Sequence, residues 1–198
     1  MVQSVELLLD DELDAVVRAQ WRALADAGLP SQARHTGPTN RPHVTLAVSF
    51  RRWPEAVEAA LRDAVGPLPL PVRLGGLVTF GQGGRYVLAR LVVPSSGLLA
   101  LHARIAAAVA ADHPDPDPDP DPDHIDAPGH LAVGRWTPHV TLARRIDAAL
   151  FPAALGALAA HGPLGAERNT ERSAEVDGAG VTVRRWDGDA GHAWAISP

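Results

Sequence analysis

The chain has 198 residues, a formal charge of −5 and no cysteine. That length suits one sizeable domain or two small lobes sharing a core, and the missing thiols exclude disulfides, zinc–thiolate centres and a cysteine nucleophile. Every basic residue is arginine, and the mild acidity argues against a broad basic face that grips long nucleic acid. A few local arginines would still suffice for one phosphate.

The opening MVQSVELLLDDELD has an apolar run too short for a secretory signal. No stretch approaches the roughly 20 apolar residues that span a bilayer. A cytoplasmic monomer with no membrane partner is the expectation. In chain order, residues 4–9 read as a strand, and 11–28 as a helix with acids in its first turn and Gly28 at its end. A polar loop leads to a strand beginning at His43. Residues 53–66 read as a second helix with Pro54 near its start and Gly66 past its end. Two strands, about 70–80 and 85–93, flank the hairpin-like GQGG. A helix at 96–111 precedes the tract HPDPDPDPDPDHIDAPG (113–129), where alternating proline removes amide donors and the aspartates repel one another. A solvated, mobile loop is expected there; it lacks the Gly-turn pattern of a calcium-binding loop. A strand from His139, a helix near 147–161 and two strands at about 172–186 and 191–197 complete the chain.

The word PHVTLA occurs twice, at 42–47 and at 138–143. His139 follows His43 by 96 positions, and Gly162-Pro163-Leu164 follows Gly66-Pro67-Leu68 by the same 96. A register kept across strand, helix and helix exit marks an internal duplication, with approximate repeats 1–94 and 95–198. Two repeats are too few for a solenoid. The expected architecture is therefore α+β and bilobal: one domain over 1–198, with pseudo-twofold duplicated β-sheet lobes, helices packed outside and a central cleft.

Strand alternation puts His43 with Thr45, and His139 with Thr141, on one face, while Val44, Leu46 and Val48, and Val140 with Leu142, take the other. Ala47 and Ala143 are then expected beside the His/Thr face. Each half offers an imidazole and a hydroxyl about 7 Å apart along the strand. Two such sets around one cleft suit phosphodiester chemistry: one neutral imidazole takes a proton from water, the other, protonated, delivers one to the leaving oxygen. The hydroxyls donate to phosphate oxygens where charge builds. This needs neither metal nor other cofactor, and no third ligand for zinc stands at a suitable spacing. His102 and His161 are expected in surface or capping roles, and His113, His124 and His130 in none.

The paired H-x-T-x motifs, His43-Val44-Thr45-Leu46 and His139-Val140-Thr141-Leu142, resemble those of the 2H phosphoesterase superfamily, within it the 2′-5′ RNA ligase-like proteins or RNA 2′,3′-cyclic phosphodiesterases. The resemblance implies a metal-independent cyclic phosphodiesterase acting on an RNA end with a cyclic phosphate or on a small cyclic nucleotide. The implied product is the 2′-phosphomonoester, and 2′-5′ ligation is the reverse step. It implies His43 as proton donor, His139 as acceptor, and Thr45 and Thr141 on the phosphate. An Arg often follows the second motif directly, where Arg144 stands, although strict alternation from His139 selects Arg145 and a bulge is needed to reconcile the two. Arg135, Trp136 and Tyr86 are further candidates for holding substrate, the rings by stacking on a base. The alternative is a nucleotide- or RNA-end-binding protein without turnover.

Overall fold

The computed structural model describes residues 2–82, 84–111, 129–160 and 175–196. The Pro-Asp tract up to residue 128, and with it His113, His124 and His161, lies outside the described residues.

Strand β1 (Gln3–Leu9) leads into helix α1 (Asp11–Asp26), then β2 (His43–Ser49) and α2 (Glu55–Val65). The hairpin β3 (Leu70–Gln82) and β4 (Arg85–Val92) is followed by α3 (Ser96–Ala110) and β5 (His139–Asp147). Helix α4 (Phe151–Ala160), β6 (Val176–Asp187) and β7 (His192–Ala195) complete the chain. The fold is α+β, with antiparallel strand pairs. The helix expected from residue 147 opens instead as a 3₁₀ turn, Ala148–Leu150, because the Asp147 carboxylate accepts from Ala149 N and holds a tighter start. The last strand stops at Ala195, two residues short of the expected end.

Local chemistry sets the boundaries. Asp10 caps α1 by accepting from Leu13 N, and Asp11, Glu12 and Asp14 meet the positive end of the helix dipole. At the exit of α2, Gly66 takes φ +70°, and the Arg104 guanidinium of α3 donates to the carbonyls of Ala64 and Val65, at 2.8 and 3.1 Å. A Cβ on Gly66 would lie 2.9 Å from that guanidinium, so glycine serves both the turn and the contact. One hydrophobic cluster runs through the molecule, taking Val44 and Leu46 from β2 and Val140 and Leu142 from β5.

The sheet runs β2-β1-β6-β3-β4-β5, with β7 added to β6. This order is symmetric about the β6–β3 boundary, and so is the register beside its two edges. Leu8 faces His43, Glu6 faces Thr45 and Val5 faces Ala47; correspondingly Leu91 faces His139, Ala89 faces Thr141 and Leu88 faces Ala143. Both edge strands therefore carry one extra residue after the threonine, Leu46 or Leu142, which is a β-bulge. The bulge overturns the expected side of the alanines. Leu46 and Ala47 are both buried, as are Leu142 and Ala143, while Val48 turns outward to a half-exposed position.

The sheet curls until its edges meet, with Cα atoms of β2 and β5 within 8 Å of each other. Helix α1 packs on β5, and α3 on β2. Two indoles brace the closure. Trp21 Nε1 of α1 donates to Thr141 O at 2.9 Å, and Trp136 Nε1, just before β5, donates to Thr45 O at 3.2 Å. Each bond satisfies a carbonyl on an edge strand. Trp136 is held flat against His102, ring centroids 4.0 Å apart and planes 9° apart, and His102 Nε2 donates to Leu131 O at 3.0 Å. His102 is thus a buried packing residue and not the surface or capping histidine expected, because its ring closes the gap between α3 and Trp136. Replacing Trp136 by Phe keeps most of the ring and removes the donor. The expected outcome is a loss of about 1 kcal/mol of stability, read as a lower denaturation midpoint with an unchanged denaturant slope.

Candidate active site

His43 opens β2 and His139 opens β5, so the meeting of the two edges brings the imidazoles close enough for His43 to act electrostatically on His139. Both are half-buried, as are Thr45 and Thr141 on the same faces. Behind them Val44, Leu46, Val140 and Leu142 are almost wholly buried. Burial of such a side chain contributes about 1.5–3 kcal/mol, which holds the His/Thr sides outward.

The two imidazoles are oriented alike. His43 Nδ1 donates to Arg41 O at 2.7 Å, and His139 Nδ1 to Thr137 O at 2.8 Å, each to the carbonyl two residues earlier. A carbonyl only accepts, so Nδ1 carries the proton and Nε2 is the nitrogen that gains or loses one. Among the described residues, neither threonine hydroxyl has a hydrogen-bond partner.

The surroundings of the two histidines differ. Glu6 of β1, across from Thr45, places Oε1 3.6 Å from His43 Nε2. Its carboxylate also accepts from Ser4 Oγ at 2.7 Å and from Arg184 Nε at 2.7 Å. Burial, the largest single influence, pushes Glu6 up, but His43, Arg184 and the hydrogen bonds from Ser4 and Arg184 outweigh it and hold the carboxyl below its usual range. Across from Thr141 the corresponding position is Ala89, and His139 has the Phe80 ring beside it, centroids 4.6 Å apart. Burial lowers the His139 pKa, and the neighbouring His130, Arg144 and His43 side chains push the same way, against the hydrogen bond to Thr137 O. The surroundings of His139 disfavour its charged form, while His43 faces a carboxylate.

Arg144 and Arg145 are both exposed. With Leu142 and Ala143 both turned inward by the bulge, Arg144 falls on the side of His139 and Thr141, where its charge reaches His139. A second bulge follows: Leu88 faces Ala143 but Tyr86 faces Ile146, and Arg145 takes φ +57°. Simple alternation from His139 therefore fails at Arg145. Tyr86 is half-buried and meets Phe151 in a T-shaped contact, ring centroids 5.5 Å apart. Arg135 is exposed on the turn before β5. One face of the Trp136 ring is taken by His102, which leaves less of it for a base than the sequence suggested. Sequence reasoning missed Glu6 and His130: a lone Glu in an apolar strand gave no signal, and His130 stands near His139 only through the 3₁₀ turn Gly129–Leu131. Among the described residues no group of three or more His, Asp or Glu is placed to hold a metal ion, and no helix is long and apolar enough to cross a membrane.

A family model described as the 2′-5′ RNA ligase superfamily matches residues 11–190. None of the curated proteins compared matches the chain. Among solved structures, TT0787 of Thermus thermophilus is similar at a TM-score of 0.55 and 20% identity, over 99% of this chain and 98% of that one. A structure described as a phosphoesterase is similar at a TM-score of 0.50 and 16% identity, over 99% and 98%. The E. coli LigT structure with NADP+ is similar at a TM-score of 0.50 and 16% identity, over 98% and 92%. At these identities the likeness is one of fold, while the family match spans most of the sequence: the chain belongs to the 2′-5′ RNA ligase superfamily.

Proposed function

We propose that the protein hydrolyses 2′,3′-cyclic phosphodiesters, at an RNA end or on a small nucleotide, by proton transfer between two histidines. Membership of the superfamily supports phosphoesterase or ligase-type action on phosphodiester bonds. The observation that carries the finer reading is the pair of Nδ1-anchored imidazoles in unlike electrostatic surroundings. Neutral His139 accepts the proton of the attacking water through Nε2. As the new P–O bond forms and the ester P–O3′ bond breaks, His43 delivers its Nε2 proton to the departing 3′ oxygen. One water is consumed and a 2′-phosphomonoester with a free 3′-hydroxyl is left. Thr45, Thr141 and Arg144 stabilise the charge on the non-bridging oxygens. Ligation to a 2′-5′ bond is the same displacement with an RNA 5′-hydroxyl attacking the phosphorus in place of water, the 3′ oxygen again leaving. Two imidazoles supply both proton transfers, so no metal has a part in this scheme.

The repeats 1–94 and 95–198 form, in this reading, a bilobal domain whose pseudo-twofold axis passes between the HVT strands. The symmetric strand order and the matched bulges support it.

Wild-type protein in EDTA, given 2′,3′-cyclic AMP and a short RNA ending in a cyclic phosphate, is expected to yield the 2′-phosphate by phosphorus NMR. Binding of either substrate without product would overturn catalysis in favour of a binding protein, and turnover abolished by EDTA would overturn the two-histidine scheme. The pH profile has a definite sign. His139 must be neutral to act, and its pKa is lowered, so the acid limb of kcat/KM should have its midpoint below the ordinary histidine value of about 6.5. Glu6→Gln removes the carboxylate facing His43 and should lower kcat; a role for Glu6 in packing alone leaves kcat in place while lowering stability.

A further inference from the structure

A pocket of about 610 Å³ beside the His/Thr strands is lined by Arg34, Arg85, Arg144 and Arg145, with His35 and Tyr86. Four arginines thus share one pocket wall in a chain whose formal charge is −5. Among the described residues no carboxylate lines the pocket. Asp147, across from Arg85, accepts from Ala149 N, and among the described residues none of the four arginines has an ion-pair partner. The neighbouring pocket of about 420 Å³ makes the contrast: it holds Arg18, Arg22 and Arg41, but Asp14 pairs with Arg18 and, at 3.6 Å, with Arg41.

Backbone geometry points the same way. Arg145 is the single non-glycine residue at positive φ among the described residues. Its left-handed conformation is part of the second bulge in β5, and that bulge exposes Arg144 and Arg145 in succession where alternation would have separated them. Strain kept in order to place two like charges side by side is repaid only when an anion joins them. Arg144 links the pocket to the reaction site. It follows Thr141 by three residues, about 10 Å along the strand.

We propose that this pocket binds a second phosphate of the substrate, the one on the 5′ oxygen of the terminal nucleoside, with Tyr86 as a surface for stacking. The inference rests on the cyclic phosphodiesterase reading and deepens it: the preferred substrate carries a phosphate beyond the cyclic one. That phosphate is either the last internal linkage of an oligonucleotide or the 5′-phosphate of a small nucleotide.

Three substrates distinguish these: 2′,3′-cyclic AMP, the same compound with a 5′-phosphate, and the diadenosine dinucleotide ending in a 2′,3′-cyclic phosphate. The expected kcat/KM is at least tenfold higher for both compounds with the second phosphate. The advantage should fall with added salt and be lost in the double variant Arg34→Gln/Arg85→Gln, while turnover of 2′,3′-cyclic AMP is unchanged. Both substituted residues are exposed, so folding is not at stake. A higher value for the dinucleotide identifies an oligonucleotide end, and a higher value for the 5′-phosphate a small nucleotide. Equal kcat/KM on all three, or a preference that survives in the double variant, overturns the pocket's role and leaves the reaction intact. No turnover of any of the three overturns the cyclic phosphodiesterase reading itself, and this inference with it.

Discussion

Two indole hydrogen bonds, from Trp21 to the Thr141 carbonyl and from Trp136 to the Thr45 carbonyl, tie together the two edges of a single sheet. An edge strand normally presents a row of unpaired amides and carbonyls. Here the edges close on each other, and the residues of the repeated word come to lie across a common gap. Each indole reaches the strand that lies half the chain away, and α1 and α3 cross over in the same sense, onto β5 and β2. The placement of His43 opposite His139 is therefore a consequence of sheet closure, and neither half could produce it alone.

On that near-symmetric frame the surroundings of the two histidines are unequal, most plainly at one pair of corresponding positions. Glu6 and Ala89 stand at matching places, across from Thr45 and Thr141. The first brings an anion, already paired with Arg184, to His43; beside the second no carboxylate faces His139, whose pKa is lowered first of all by burial. A reaction that needs one proton donor and one acceptor cannot use two identical imidazoles with equal effect in both roles. The difference between the halves matters to function as much as their likeness.

Much of this was legible in the sequence. The doubled word identified the two strands, and Gly28, Pro54 and Gly66 marked helix ends close to where they fall. Periodicity failed at the bulges. Leu46 and Ala47, like Leu142 and Ala143, are two apolar residues in a row, which alternation assigns to opposite faces and the extra residue turns to one. The same count decides between Arg144 and Arg145 and is invisible without the partner strand. His102 was misjudged because a helical pattern does not reveal that a tryptophan from another segment lies flat on its ring. Glu6 was missed because its meaning comes from strands at 43 and 184, far away in the chain.

The central claim is that His43 and His139 serve one displacement together. Turnover of a cyclic-phosphate end should be compared across His43→Ala, His139→Ala and the double variant, each checked for folding. If the two proton transfers belong to one event, each single variant falls nearly as far as the double. A single variant that keeps wild-type turnover, or losses that multiply in the double as independent effects do, would contradict the account.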